Sequence, residues 1–155
     1  MAYELYAIVH DQFDDIREEM GRTLVGSLDW AKNLEARDFI KIQQARAQLN
    51  DTLADIFTEF DLLITPTMPT EAFDAKGPPP AEIDGFAVDL LDAVAFTYPF
   101  NLSGHPAATV RAGMSANGLP AGLQIIGPRY RDDLVLQAAY AYEQMRPWND
   151  EWPSL

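Results

Sequence analysis

Few residues in this chain could do covalent chemistry. Ser103 and His105 flank Gly104 in "NLSGHPA", which puts a hydroxyl and a base in one short stretch. A serine becomes a nucleophile when a base about 3 Å away takes its proton and a third group orients that base. Neighbours in one turn rarely face each other, and the stretch is not Gly-x-Ser-x-Gly. We therefore expect His105, placed before Pro106, to be a turn residue rather than a catalytic base. The other serines, Ser27, Ser115 and Ser154, stand alone. A lysine could replace histidine as base if burial lowered its pKa. Of Lys32, Lys41 and Lys76, Lys41 falls on the polar side of a helical pattern and Lys76 beside prolines, so none is expected to be a buried base.

Metal chemistry has as little to work with. His10 and His105 are the only histidines, and no His-x-x-x-His pair or EF-hand spacing occurs. No cysteine is present, which removes disulfides, thiolate sites and cysteine nucleophiles and fits a cytoplasmic address. No metal and no cofactor is expected. The net charge of −13 argues against nucleic acid and against an anionic membrane surface, since both need Lys and Arg to displace counterions. No stretch has the ~20 apolar residues of a membrane span. The acidic opening "MAYELYAIVHDQFDD" does not read as a signal peptide.

At 155 residues one region is expected, helical to about residue 60, then strands, loops and a last helix. Phe13, Ile16, Met20 and Leu24 share a helix face, with a break expected at Gly26-Ser27. Phe39, Ile42, Leu49, Leu53, Ile56, Phe57 and Phe60 predict a second helix over 38–59. Leu62 to Thr65, stopped by Pro66, reads as a buried strand, and 71–85, with its three prolines, as a surface excursion. A short helix is expected over 88–96, facing inward with Val88, Leu91, Ala95 and Phe96 and ended by Pro99. Ala107 to Val110 and Leu123 to Ile126 flank a turn at Asn117-Gly118, an apolar hairpin expected to be buried on both faces. Asp132 and Asp133 open a helix whose inward stripe is Leu134, Ala138, Ala141 and Met145. Trp30, Trp148 and Trp152 sit near helix ends and are expected to pack on the helical layer. Asn101, in an apolar turn, must find partners: it either braces the loop or lines a pocket.

From "FDLLITPTMPTEA" onward the chain resembles the amidase signature family. Asn101, Gly104, Pro106 and Ala107 match that family's Asn-x-x-Gly-x-Pro-Ala turn. Gly118, Leu119, Pro120, Gly122 and Gln124 match its Gly-Leu-Pro-x-Gly-x-Gln strand; Glu143, Pro147-Trp148 and the long helix with Arg46 also fit. The resemblance implies an α/β fold, the C-terminal part of the amidase signature fold, with helices packed on a small mixed sheet. It implies hydrolysis of carboxylic amides, or ammonia transfer, by a serine pair and a lysine N-terminal to the matched region. None of that machinery is in this sequence. The chain then reads as a C-terminal piece whose nucleophile lies elsewhere, with no catalytic residue of its own. The alternative is a non-catalytic interaction module that keeps part of the fold.

The resemblance also places Thr67, Met68, Phe100 and Asn101 near the substrate cleft, as lining residues. It implies a small amide as substrate of the full enzyme and no cofactor. Arg111 stands where the family usually has proline and is expected in a structural ion pair. Cut from its setting, the sheet should have open edges and uncovered "LLIT" and "LQII" faces. Self-association, or association with an N-terminal amidase portion, follows.

Overall fold

The computed structural model describes residues 2–89 and 91–148. The chain divides into two compact units, Met1–Gln48 and Leu49–Leu155.

The first unit is helical. Helix α1 is Ala2–Val9, α2 is Phe13–Ile16, a 3-10 turn follows at Arg17–Glu19, and α3 is Arg22–Lys32. Helix α4, Ala36–Glu59, begins in this unit and ends in the second. Phe13, Leu28 and Ala31 are buried here, and Tyr6 meets the Phe13 ring edge-on at 5.9 Å. The break lies at Met20 and Gly21, both extended with ψ of 149° and 141°, and not at Gly26-Ser27. Gly26 is carried inside α3, where Ser27 Oγ donates to the Thr23 carbonyl at 3.0 Å. The break resets the helical phase, so Leu24 leaves the face it was expected to share with Phe13 and is exposed. Trp30 is also 59% exposed, which corrects its expected packing. Trp152 and Ser154 lie outside the described residues.

The second unit holds a three-stranded sheet in the order β1-β5-β4, with β1 Leu63–Pro66, β4 Ala107–Met114 and β5 Pro120–Ile126. Both pairings are antiparallel, so these three strands do not supply the mixed character expected of the family's sheet. Two-residue strands β2 (Glu82–Ile83) and β3 (Phe86–Ala87) pair within the proline-rich excursion. The core joins Leu53 of α4, Phe100 and Ile126, with Leu49, Ile56, Phe57 and Leu63 around them. Phe60, just past α4, is exposed instead.

Pro99 does not end a helix. It sits in the first turn of α5, Tyr98–Ser103, where its missing N–H costs nothing. The stretch before it makes only a 3-10 turn, Asp92–Val94, and Leu91 is 64% exposed. Helix α5 stops at Gly104, whose φ of 73° is the left-handed cap that glycine adopts without steric cost.

Successive residues of a strand point to opposite faces. Ile125 and Ile126 are both buried, so this end of β5 is covered on both sides, contrary to the bare "LQII" face expected. Strand β4 alternates instead, with Ala107, Thr109, Ala112 and Met114 exposed, so only half of the hairpin is buried on both faces. Helix α6, Asp132–Met145, packs on β4 and β5 through buried Val135. Its inward stripe is Leu134, Val135, Ala138, Ala139 and Tyr142. Ala141 and Met145, expected there, face outward because the stripe follows Val135 rather than Leu134 alone.

Candidate functional site

Two places gather polar side chains in the second unit, one at each end of the sheet. At the first, the chain leaves β1 through Thr67, whose N–H donates to the Gly122 carbonyl at 2.9 Å and extends the ladder past Pro66. Thr67 Oγ1 then reaches over Gly122 and donates to Thr109 Oγ1 at 3.3 Å. A side chain at 122 would forbid this: a Cβ there would sit 2.6 Å from Thr67 Oγ1 and 3.0 Å from Thr109 Cγ2. Two residue pairs further in, Gln124 is buried with its amide satisfied. Its Nε2 donates to Thr65 Oγ1 at 2.9 Å and to the Phe96 carbonyl at 2.7 Å.

Beyond Thr67 the loop walls an open hollow of about 400 Å³, lined by Pro66, Met68, Phe73, Pro120 and Ala121. Glu71 pins this loop to the tip of the hairpin, accepting from Asn117 Nδ2 at 2.8 Å. The bonds from Asn117 and then Ser115 hold the Glu71 carboxyl below its usual range. The hollow therefore has an apolar wall, neutral hydroxyls beside it and one committed carboxylate. Such a set binds and orients. It contains no group poised to accept a proton from a nucleophile near neutral pH.

At the other end, Ser103 and His105 do face each other, contrary to the expectation from their spacing. His105 Nδ1 lies 2.8 Å from Ser103 Oγ, because the left-handed Gly104 between them folds the chain back. Ser103 Oγ also lies 3.4 Å from the Phe100 carbonyl. Phe57 stacks on the imidazole with ring centres 5.4 Å apart. Burial pushes the His105 pKa below its usual value, and the Arg129 charge adds to this. Ser103 is fully buried, at 0% exposure. A serine that is fully buried, where no acyl group can reach it, is not a nucleophile. The pair satisfies buried polar atoms.

Thr67 and Met68 thus come together at the Gly122 end. Phe100 lies in the core beside Ile126, and Asn101 is exposed on α5 rather than set in an apolar turn. Lys32, Lys41 and Lys76 are all exposed. Arg111 shares a small hollow with Tyr142 and Glu143. Among the described residues no three acidic or histidine side chains converge on a metal-sized site. Sequence reasoning missed Thr109, Glu71 and Asn117. Thr109 could have been found from the two-residue period of β4, on the face of the strand that Gly122 leaves open.

The Amidase family profile matches residues 12–136. The chain is 36% identical over 134 residues to a subunit of the glutamyl-tRNA(Gln) amidotransferase of Cyanothece sp., covering 86% of this chain and 27% of that protein. It is 34% identical over 144 residues to an acylamidase of Rhodococcus erythropolis, covering 92% of this chain and 30% of that one. A bacterial aryl acylamidase of the amidase signature family superposes with a TM-score of 0.78 at 30% identity, over 99% of this chain and 34% of its own length. The chain spans about a third or less of these relatives. It belongs to the amidase family.

Proposed function

We propose that this chain is the C-terminal portion of an amide hydrolase whose serine nucleophile and base lie outside it. The observation that carries the reading is the state of the candidate nucleophiles. Among the described residues every lysine is exposed, the serine beside an imidazole, Ser103, is fully buried, and the serine beside a carboxylate, Ser115, meets a Glu71 held below its usual pKa. The family hydrolyses amides, and the portion in hand supplies walls and support but no proton acceptor for a serine.

In this reading Thr67 and Met68 line the substrate side of the cleft, where Gly122 lets the loop after β1 seat against the sheet. Phe100 acts from the core beneath α5, and Asn101 stands on the exposed side of that helix. Water is the acyl acceptor, and the products are a carboxylic acid and ammonia or an amine. The strongly acidic chain disfavours a role in holding tRNA for ammonia transfer. The partner is the remaining amidase portion, and the chain self-associates in its absence. Large apolar side chains left exposed in this unit, among them Ile64, Phe86 and Met114, support both.

The test is reconstitution. The chain is co-expressed with the region of an amidase that it does not match, and ammonia release from small aliphatic and aryl amides is followed. Release that requires both pieces and disappears when the serine of the added piece is replaced supports the reading. A stable complex without turnover on any amide would favour the non-catalytic interaction module.

A further inference from the structure

The second unit carries another hollow, of about 400 Å³, at the His105 end of the sheet. Helix α4 supplies Asn50, Asp51, Ala54 and Phe57, and the turn after β5 supplies Pro128 and Arg129. Positions 50, 54 and 57 share one face of α4, with 51 beside them. Sites for small ligands measure about 300–1,000 Å³ and combine an apolar wall with a few polar groups. Here Ala54, Phe57 and Pro128 form the wall. His105 is committed to Ser103 through Nδ1, and burial and the Arg129 charge lower its pKa, so it adds no charge near neutral pH. Two features hold Arg129 at the rim. Gly104 lies beneath it: a Cβ at 104 would sit 3.2 Å from Arg129 Nη2. Next in the chain, Tyr130 takes a left-handed φ of 64°, which few residues other than glycine adopt, and sets its ring 6.0 Å from the guanidinium.

Among the described residues Arg129 makes no ion pair, and neither does Asp51. One positive and one negative group thus line the same hollow without neutralising each other. The Asn50 amide is uncommitted as well, since its Oδ1 is buried with no hydrogen-bond partner. A buried acceptor without a donor is costly, so turning this amide toward a donor that enters the hollow relieves that cost. These charges select the ligand. A bare anion drawn by Arg129 also meets Asp51, and a bare cation drawn by Asp51 also meets Arg129. A molecule with both charges suits both. Its ammonium offers N–H groups to Asp51 and Asn50, its carboxylate matches the guanidinium fork, and an apolar side chain lies against Phe57. We infer that the hollow between Asn50 and Arg129 binds a small zwitterion, an α-amino acid with an apolar side chain. The inference goes beyond the hydrolase reading and does not depend on it, because the hollow is at the opposite end of the sheet from Thr67 and Met68.

Leucine is the probe, titrated into the natural chain by calorimetry. Isocaproate, which lacks the ammonium, and isoamylamine, which lacks the carboxylate, are its single-charge counterparts. We expect saturable binding of leucine, with each counterpart weaker by about 10-fold or more. Arg129→Gln and Asp51→Asn change exposed side chains, so folding should survive both. Each should weaken leucine binding roughly 10- to 100-fold, as for a hydrogen bond to a charged group. Arg131→Gln is the control: Arg131 pairs with Asp133 outside the hollow, and its loss should change binding by less than about threefold. Asn50→Leu should weaken leucine binding without lowering the unfolding midpoint, because it removes an acceptor that has no partner. Amide NMR signals of Ala54, Phe57 and Arg129 should shift on titration of the natural chain, a readout that needs no variant. Leucine binding no tighter than either counterpart, or equal loss in Arg129→Gln and Arg131→Gln, overturns the inference. Shifts confined to the Gly122 end do so too. The titration is repeated with the unmatched region of an amidase bound to the chain. Loss of leucine binding there also overturns the inference, since a side chain of that region would then be the occupant.

Discussion

Beside Ile126 the sheet is covered: Leu53 and Phe100 pack on it, Ser103 is fully buried against His105, and the imidazole borders a hollow with Asn50, Phe57 and Arg129. Beside Gly122 it stays open. There Thr67, just past β1, meets Thr109 of β4 over a glycine that keeps the surface low, and a loop pinned by Glu71 and Asn117 walls an open hollow. The chemistry suggested by residue type, a serine next to a histidine, sits at the covered end. The geometry suited to the proposed substrate sits at the open end and has no reactive group. A reactive pair of residue types is therefore poor evidence for a site until burial is known. In this chain burial assigns the pair to stability.

The contrast can be broken at the covered end first. Ile126→Ala should cost about 3–4 kcal/mol in denaturant unfolding, because it removes a fully buried side chain that meets both Leu53 and Phe100. A loss under about 1 kcal/mol would mean this end is not the core. Ser103→Ala comes next, at about 1–3 kcal/mol, since it leaves the buried His105 Nδ1 without its hydrogen-bond partner. In the reconstituted enzyme it should leave kcat unchanged.

The same pair sets a pH dependence whose sign follows from its burial. The folded-state pKa of His105 lies below the unfolded one, so the unfolded chain binds the proton more readily. The stability this gives is full above the unfolded value of about 6.5 and is lost as pH falls from there toward the lower folded pKa. Unfolding free energies between about pH 7 and 5 should therefore fall for the natural chain, and less steeply for His105→Gln. Parallel slopes would place the proton uptake elsewhere.

At the open end the effects are smaller. Gly122→Ala should cost about 1–2 kcal/mol by driving a methyl into Thr67 and Thr109, and Thr67→Ala in the same chain should recover only part of it, since the Cβ at 67 and Thr109 Cγ2 stay in the way. Asn117→Ala should leave global stability nearly unchanged. It should raise the Glu71 pKa, seen in an NMR titration, and loosen the loop around Met68. If Asn117→Ala leaves Glu71 titrating as before, the loop is not held by that contact.

The parts of this molecule legible in the sequence are those set by local pattern. Helix α4, the last helix and β1 follow from apolar period within one or two positions, and the hairpin follows from its turn residues, with strands that run four and three residues closer to the turn than expected. The misses have physical reasons. Gly26 looked like a helix break, yet helices tolerate an isolated glycine at a cost of about 1 kcal/mol. Pro99 looked like a stop, but proline suits the start of a helix as well as it ends one. Which face of the C-terminal helix is buried depends on the sheet beneath it, and its own sequence is apolar on more than one side. Most instructive is Ser103 with His105. Spacing alone argued that they do not meet, and one glycine in the left-handed region reverses that. The loop from Glu71 to the hairpin tip joins residues 46 apart through one hydrogen bond, which no local pattern announces.

The most direct test is ammonia release by the purified chain alone, across small aliphatic and aryl amides, for the natural sequence and for Ser103→Ala. We expect no release above the buffer from either protein. Release that follows the natural chain through purification and is abolished in Ser103→Ala would overturn the assignment, because the chemistry would then lie inside this chain.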